Sequence, residues 1–405
     1  MRDPGSQVGH YFGGLDGLRG VAVITVLLAH SIAHFAPETS PHGIAQMLAQ
    51  GLTLFFALSG MLIYTPFARD IARAERRVRV RRYAMRRILR IMPVYLVIFV
   101  ICNFVLQAVF VGNAVMTQVP RTDAGTGMLT DPGLLFLNLS LLQTFVPDAL
   151  QTGINTSWSL TTELTFYALL PVLAVWLVGR SRRRLALALI PPLVLGVAGL
   201  AGRAWAEHLY APGPGLTQFQ AEYGDNGVAV LSRSLLALGD NFALGMLVAV
   251  AFVWTERGEL QWWTRRRAHA TGWTLIVLGV VGGLLIRDAY PWFTGTLTSV
   301  AAAAIILLLV DPTARQESSM LVRVAGVKPL EYVGAISLSV YLWHYPVIVL
   351  LSRAGLFDSD SATSLIGPPL IVAAASIALG AITYAWIERP AMTGQFPFGL
   401  RRVSS

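Results

Sequence analysis

The chain has 405 residues, of which 55% are hydrophobic and 13% are charged, and its formal net charge at pH 7 is +9. That charged share is about half the share usual in soluble domains, and several apolar runs reach the roughly 18–20 residues that cross a bilayer as a helix, which excludes a soluble globular protein. The basic residues are clustered between the apolar runs, as in the cytosolic loops of membrane proteins, so we expect no nucleic-acid partner.

Ten apolar segments of helical length follow one another along the chain. They are 16–36, 44–66, 91–112, 157–179, 185–202, 229–254, 271–287, 292–310, 332–352 and 365–388. A further apolar segment, 134–145, is short for a crossing and predicts a re-entrant or interfacial piece of an external loop, 113–156. The sequence therefore predicts an all-α, polytopic membrane helix bundle of about ten transmembrane helices.

Arginine clusters between these segments determine the predicted orientation in the cell membrane. If 134–145 does not span the bilayer, every cluster falls on the cytosolic side, as the positive-inside rule requires. The clusters are Arg69–Arg90, Arg180–Arg184, Arg257–Arg267, Arg315–Lys328 and Arg401–Arg402. Both termini are then cytoplasmic, and residues 1–405 form a single predicted transmembrane domain embedded in the lipid bilayer.

The first predicted helix carries two ionisable side chains, Arg19 and His30. Their separation turns a helix by about 1100°, so they share a face and lie roughly 16 Å apart along the axis. Arg19 is expected near the cytosolic surface, where it is either a topological anchor or a ligand-binding group. His30 is expected in the outer part of the bilayer, where no water satisfies an idle imidazole, which favours a functional role.

Arg87 and Arg90 lie at the end of the first basic cluster and share a helix face at the membrane surface. Paired guanidinium groups suit a diphosphate or a 3′-phosphate. The alternative for arginines in this cluster is anchoring to anionic lipid headgroups.

The fourth predicted helix begins near Trp158 and carries Ser159, Glu163 and Tyr167 at i, i+4 and i+8, which form one polar stripe. Because this helix enters from outside, Glu163 is expected roughly 9 Å below the outer surface, a depth similar to that of His30.

Two later helices add polar groups within the predicted spans, the sixth near mid-membrane and the ninth at a depth similar to that of His30. The sixth carries Asp240, which forms either a structural ion pair with Arg233 or a functional contact, and the ninth carries Tyr341 and His344. The predicted substrate-binding residues are Trp158, Ser159, Tyr167, Asp240, Tyr341 and His344.

His30 suits general-base chemistry, because a neutral imidazole can take the proton of a hydroxyl that attacks a thioester carbonyl. Glu163 is predicted to assist catalysis by holding the His30 tautomer, as carboxylates do in catalytic triads. The 7 histidines are not spaced as a metal site and no H-E-x-x-H motif occurs, so we expect no metal.

Six short motifs follow one another between residues 11 and 390. They are Tyr11–Gly20 with His30, Leu54–Gly60, Arg87–Arg90 with Pro93, Ser157–Glu163 with Tyr167, Ser337–Pro346, and Trp386–Pro390. In this order they resemble the motifs of the acyltransferase 3 family of integral membrane O-acyltransferases, and the core of the domain is then 11–390.

The resemblance implies a ten-helix membrane domain that O-acylates diverse acceptors, among them surface polysaccharides, peptidoglycan, glycolipids and macrolides. It implies that His30 is catalytic and that Arg19, Arg87 and Arg90 bind the acyl donor, acetyl-CoA or another acyl-CoA, or keep its site in shape. It supports an important role for Glu163. The sequence does not contain the extracytoplasmic SGNH-type domain of longer family members, so the domain-only type is expected.

We therefore expect an acyl-CoA-dependent O-acyltransferase that moves an acetyl or other short acyl group, not an aminoacyl group, to a hydroxyl of a sugar-containing acceptor. The acceptor classes are a cell-envelope glycan, a glycolipid or a macrolide-type product. A transporter or flippase for a lipid-linked sugar is the alternative, although it predicts paired broken helices in two repeated halves, which we do not find. A third alternative is a scaffold subunit of an envelope assembly. The oligomeric state does not follow from the sequence.

Overall fold

The computed structural model describes residues 14–41, 43–178, 184–210, 217–313, 319–357 and 359–394. Several groups named above lie outside the described residues: Tyr11–Gly13 of the first motif, Arg180–Arg183, Arg315, Arg401–Arg402 and both termini. The cytoplasmic placement of the termini therefore stays a prediction.

Helices make up most of the described chain. In order they are α1 Leu15–Phe35, α2 Ile44–Ala49, α3 Gly51–Arg73, α4 Val80–Val100, α5 Ala114–Thr117, α6 Pro132–Leu139, α7 Trp158–Val175, α8 Arg184–Leu187, α9 Ile190–Leu209, α10 Gln218–Tyr223, α11 Gly227–Arg233, α12 Leu235–Glu256, α13 Arg265–Ile286, α14 Pro291–Val310, α15 Met320–Ala325, α16 Lys328–Ala335, α17 Ser337–Arg353, α18 Gly367–Thr383 and α19 Arg389–Thr393. The π-helical turns Ile101–Val105 and Tyr384–Glu388 extend α4 and α18.

The protein is a multi-pass membrane helix bundle, as predicted. Within the described ranges, 8 helical segments are long and apolar enough to cross a membrane, or up to 9 if one bent pair is a single span. The eight are Leu15–Phe35, Ile44–Arg73, Val80–Val105, Asn155–Val175, Gly227–Glu256, Arg265–Ile286, Pro291–Val310 and Ala362–Thr393. The predicted fifth span, 185–202, overlaps α9, which is not among these segments, so a count of ten crossings stays a prediction.

The predicted ninth span is bent rather than continuous. Helices α16 and α17 meet at Ile336 with a bend of 77°. Helix α16 packs closely on the first turns of α1: a β-carbon at Gly334 would lie 1.6 Å from the carbonyl oxygen of Asp16. The bend places Ser337, the first residue of α17, beside Arg19, which donates a hydrogen bond from Nη2 to Ser337 Oγ at 3.1 Å.

The basic stretch Arg69–Arg90 is mostly helical. Helix α3 continues to Arg73 and α4 begins at Val80, so only residues 74–79 connect them. The Asp70 carboxylate accepts hydrogen bonds from the backbone N–H groups of residues 77 and 78, both at 2.8 Å, and so stabilises the turn. Arg87 and Arg90 consequently project from a regular helix rather than from a loop.

Helices α3 and α12 pack with their backbones in contact. A β-carbon at Gly245 would lie 1.8 Å from the carbonyl oxygen of Ala57, and one at Gly60 would lie 2.1 Å from that of Phe242. Small residues allow such close approach of membrane helices. This contact holds α3 in place beside α7, so that one face of α3 forms a wall of the site described below.

The connection between α4 and α7 is compact. Strands β1 (Val109–Phe110) and β2 (Thr126–Gly127) form a short antiparallel pair, with Val109 opposite Gly127. Helix α6 has 8 residues and is therefore about 12 Å long, too short to cross a bilayer. This confirms that the apolar segment 134–145 does not span, as predicted.

Asp360 joins three connecting segments. Its carboxylate accepts hydrogen bonds from the backbone N–H groups of Glu38 at 2.8 Å and Thr39 at 3.3 Å, and it pairs with Arg121 at 3.1 Å. A hydrogen bond from the Thr39 side chain contributes most to lowering the pKa of Asp360 below its ordinary value. The ionised carboxylate thus links the connection after α1 to the segments before α6 and α18.

Candidate functional site

A cavity of about 250 Å³ lies among α1, α3, α4, α7 and α17. Arg19, Arg87 and Arg90 line it, so the structure brings together the three arginines that the sequence predicted to bind one ligand. The lining residues Tyr167 and Ser159 are two turns apart on α7, so the cavity extends over about 12 Å of helix axis. A cavity of this form suits a ligand with an anionic head and a long, narrow arm.

The three arginines differ in how they are held. Arg19 donates to Ser337 and approaches the Asp16 carboxylate at 3.7 Å. The guanidinium carbon of Arg87 lies 5.8 Å from the ring centroid of Tyr83 and 5.6 Å from that of Tyr167, and its buried Nε has no hydrogen-bond partner among the described residues. A cation supported by aromatic faces keeps its donors available for an anion.

Most of the remaining cavity wall is apolar. It is formed by Leu52, Phe55, Phe56, Leu58, Leu62, Ile63, Ile91, Leu160 and Leu338. An apolar wall between a cationic group and a few polar groups is the usual construction of a small-molecule site.

Ser159, Glu163 and Tyr167 line the cavity as one stripe of α7, as their spacing predicted. The Glu163 carboxylate accepts hydrogen bonds from Ser59 Oγ at 2.7 Å and from the Tyr167 hydroxyl. Ser59 is a site residue that the sequence did not indicate, because it lies in a run of small and apolar residues that is typical of helix packing. Its hydroxyl is the one signal that could have indicated a polar contact.

His30 contacts a second imidazole. Its Nδ1 lies 3.0 Å from Nε2 of His344, and the ring centroids are 5.1 Å apart. Nδ1 of His344 lies 2.5 Å from the backbone carbonyl oxygen of Tyr341, within α17. The structure therefore places His344, and not Glu163, against His30; the predicted support of the His30 tautomer by Glu163 is replaced by this contact.

The imidazole pair lies next to the cavity rather than on its wall. His30 and His344 are absent from the lining residues, whereas Tyr341 is among them and its ring centroid is 5.4 Å from that of His344. The Tyr341 hydroxyl donates to the carbonyl oxygen of Thr156 at 3.0 Å and lies 2.8 Å from Ser159 Oγ. Tyr341 thus lines the cavity and is also a neighbour of His344.

Asp240 does not form the expected ion pair with Arg233. It pairs with Arg203 of α9 at 3.2 Å and accepts a hydrogen bond from Thr296 of α14. The extended residue Ser234 breaks the helix between α11 and α12, so the regular spacing from Arg233 to Asp240 is lost. Asp240 lies outside the cavity lining and ties three helices together.

Trp158 also lies outside the cavity lining, although it was predicted to bind substrate. Its ring stacks under the guanidinium of Arg233, whose carbon is 4.8 Å from the ring centroid. Arg233 pairs with Glu222 at 3.2 Å. These contacts connect α7 to the segment before α11, so they explain the burial of Trp158 without a ligand.

Comparison with known proteins identifies relatives of the whole described bundle. The sequence model of a family described as an acyltransferase domain matches residues 12–387. The peptidoglycan O-acetyltransferase OatA of Listeria monocytogenes is 27% identical over 389 residues, which is 94% of this chain and 56% of the relative. The putative peptidoglycan O-acetyltransferase YrhL of Bacillus subtilis is 29% identical over 414 residues, 98% of this chain and 57% of the relative.

A third relative, the O-acetyltransferase OatA of Staphylococcus aureus, is 25% identical over 356 residues, 84% of this chain and 51% of the relative. The chain therefore spans somewhat more than half the length of the curated relatives it matches. No solved structure is significantly similar to the chain.

Proposed function

The chain belongs to the acyltransferase domain family, and from that premise we propose that it is an acyl-CoA-dependent O-acyltransferase acting on a cell-envelope glycan. The cavity carries this proposal, because it has three arginines in its wall and ends at Tyr341, the neighbour of the imidazole pair. A transporter is not favoured, since the matched domain is that of acyltransferases. The family model matches residues 12–387, and a single domain with its core at 11–390 stays a prediction.

The donor is held by its phosphates. Arg19, Arg87 and Arg90 bind the diphosphate and 3′-phosphate of the acyl-CoA, because charge-assisted bonds from guanidinium groups suit phosphate oxygens. The pantetheine arm then follows the apolar wall towards Tyr341. The separation of roughly 16 Å between Arg19 and His30 along α1 is close to the length of an extended pantetheine arm.

The reaction is a direct transfer between donor and acceptor. His30 takes the proton of the acceptor hydroxyl as its oxygen attacks the thioester carbonyl carbon. The carbon–sulfur bond breaks, and the thiolate of CoA takes the proton from the His30 imidazolium. The thioester reaches the imidazole pair beside Tyr341, which lines the cavity and neighbours His344.

We propose for Glu163 a role other than the predicted support of the His30 tautomer. Its carboxylate holds Ser59 and Tyr167, and the Tyr167 ring in turn supports Arg87. We assign Glu163 the role of balancing the positive charge of the arginines and fixing the shape of the donor site.

The proposed acceptor is a hydroxyl of a cell-envelope glycan, and the proposed acyl group is acetyl. Support comes from the names of the relatives, two of which are peptidoglycan O-acetyltransferases. Because the chain spans only part of those proteins, a peptidoglycan acceptor is a proposal for this chain. A glycolipid and a macrolide are the alternative acceptors to be compared with it.

The experiment uses the purified protein in detergent with acetyl-labelled CoA and a soluble peptidoglycan fragment. We expect one free CoA thiol for each acetyl group that reaches the fragment, and no transfer when the hydroxyls of the fragment have been methylated. A glycolipid and a macrolide serve as competing acceptors. Failure to transfer to any of the three, together with no stabilisation of the protein by CoA against heat, would refute the proposal.

A further inference from the structure

The two imidazoles form one end of a hydrogen-bonded chain that begins at the backbone of α17. The Tyr341 carbonyl oxygen contacts Nδ1 of His344 at 2.5 Å, and Nε2 of His344 contacts Nδ1 of His30 at 3.0 Å. Each contact joins a different nitrogen of His344, so both of its ring nitrogens are occupied. His344 is fully buried, which prevents water from replacing either contact.

The order of donors along this chain follows from the carbonyl oxygen at its beginning. A carbonyl oxygen only accepts hydrogen bonds, so Nδ1 of His344 carries the proton and donates. A neutral imidazole has a single N–H group, so Nε2 of His344 is an acceptor. The Nδ1 of His30 must therefore be the donor, and the lone pair of the neutral His30 ring is on Nε2.

This lone pair lies on the more accessible of the two imidazoles. His30 is only half-buried, in contrast to the fully buried His344, and its Nε2 has no hydrogen-bond partner among the residues that the structure describes. The Tyr345 ring packs edge-on against His30, with centroids 5.4 Å apart, and restrains the orientation of the imidazole.

We propose that His344 is a positioning residue that fixes the His30 tautomer, so that Nε2 of His30 is the basic nitrogen. The inference deepens the proposed function and rests on it, since it assumes that His30 accepts the proton of the acceptor hydroxyl. It assigns His344 a role other than the predicted contact with substrate. His344 takes the part that a carboxylate has in a catalytic triad, where loss of the correct tautomer costs up to about 10⁴-fold in kcat.

The proton balance is consistent with this role. When Nε2 of His30 accepts the hydroxyl proton, His30 becomes an imidazolium and donates from Nδ1 to the neutral Nε2 of His344. This bond strengthens as the charge forms, because a charged donor makes a stronger hydrogen bond than a neutral one. The proton on Nε2 then passes to the departing thiolate of CoA, and His344 ends the cycle in its initial neutral form.

Three substitutions at position 344 separate this role from packing. Gln reaches the position of Nε2 and can accept from His30; Asn reaches only the position of Nδ1 and can still donate to the Tyr341 carbonyl; Leu does neither. We expect His344→Gln to retain kcat within about tenfold, whereas His344→Asn and His344→Leu lower kcat about 10²–10⁴-fold, the range for removal of a general base. KM for acetyl-CoA and for the acceptor should stay within about threefold in all three.

The outcomes are distinguishable. An equal fall in kcat in the Gln, Asn and Leu variants, with unchanged thermal stability, would refute the tautomer role, and a raised KM for the acceptor with unchanged kcat would show that His344 contacts substrate. Wild-type kcat in His344→Leu would also overturn the inference. His30→Ala is measured in parallel: if it transfers acetyl at the wild-type rate, the proposed base itself fails, irrespective of the result at position 344.

Discussion

Substitution of Arg87 is expected to weaken donor binding through the CoA phosphates alone. The Arg87 side chain lines the cavity, and two tyrosine rings support its guanidinium. Its buried Nε has no hydrogen-bond partner in the described part of the chain. In Arg87→Ala the phosphate loses its guanidinium hydrogen-bond donor at this position. The rings of Tyr83 and Tyr167 also lose their cation–π contacts.

The size of the effect follows from the interactions of the Arg87 guanidinium. One charge-assisted hydrogen bond is worth about 1.5–3 kcal/mol, and each 1.4 kcal/mol is a factor of ten, so Kd for acetyl-CoA should rise roughly 10- to 150-fold. Removal of the cation–π interactions destabilises the fold by about 0.5–1 kcal/mol each, which leaves a bundle of this size folded. Arg87→Lys keeps the charge but not the planar fork, so an intermediate Kd is expected.

The assay compares two donors and two arginines. Arg86 is the neighbouring residue of α4, is exposed, and does not line the cavity, so Arg86→Ala is the matched control. Binding and transfer are measured with acetyl-CoA and with acetyl-pantetheine, which has the thioester and the arm but no phosphates. Arg87→Ala should weaken binding of acetyl-CoA and leave that of acetyl-pantetheine within about twofold.

Two results would refute this account of the donor site. If Arg87→Ala and Arg86→Ala weaken acetyl-CoA binding equally, the effect is one of general positive charge at the membrane surface. If Arg87→Ala weakens binding of acetyl-pantetheine as much as that of acetyl-CoA, Arg87 does not bind the phosphates. In the second case the basic loop Arg257–Arg267 is the next candidate.

Three further predictions concern the bundle. Gly245→Ala should lower the midpoint of thermal unfolding, because the new β-carbon would lie 1.8 Å from a carbonyl oxygen. Gly227→Ala is the control and should leave the midpoint unchanged, because a β-carbon there would meet nothing within 4 Å. Equal midpoints would contradict the close α3–α12 contact. Asp240→Asn should destabilise the protein by about 3–5 kcal/mol, because it leaves the charge of Arg203 unbalanced. The KM for the acceptor should not change. A raised KM with unchanged stability would indicate that Asp240 binds substrate, as the sequence predicted. Val119→Cys should react with an impermeant thiol reagent from outside only, and reaction from inside would reverse the proposed orientation.

The contacts within single helices could be predicted from the sequence. Helical periodicity is sufficient to place Ser159, Glu163 and Tyr167 on one stripe, and the structure has all three on the cavity wall. The meeting of Arg19 with Arg87 and Arg90 required the family resemblance as well, because nothing local in the chain indicates that α1 and α4 are neighbours.

Contacts between helices were harder to predict. The predicted depths in the bilayer placed His30 near both Glu163 and His344. Depth does not determine where a residue lies around the bundle axis, however. Because α1 packs against α17, His30 contacts His344. The bend at Ile336 has no proline to indicate it, and a glycine two residues earlier is equally compatible with a straight membrane helix. Arg233 and Asp240 appeared to be two turns apart on one helix, but the extended residue Ser234 breaks the helix between them.

The most direct test of the account compares acetyl-CoA binding with acetyl transfer in a folded His30→Ala variant. The account predicts that Kd for acetyl-CoA stays within about threefold, because the donor phosphates are bound roughly 16 Å away along α1, while the rate of transfer falls about 10²–10⁴-fold. Transfer by His30→Ala near the wild-type rate, with the donor bound normally, would contradict the assignment of His30 as the base.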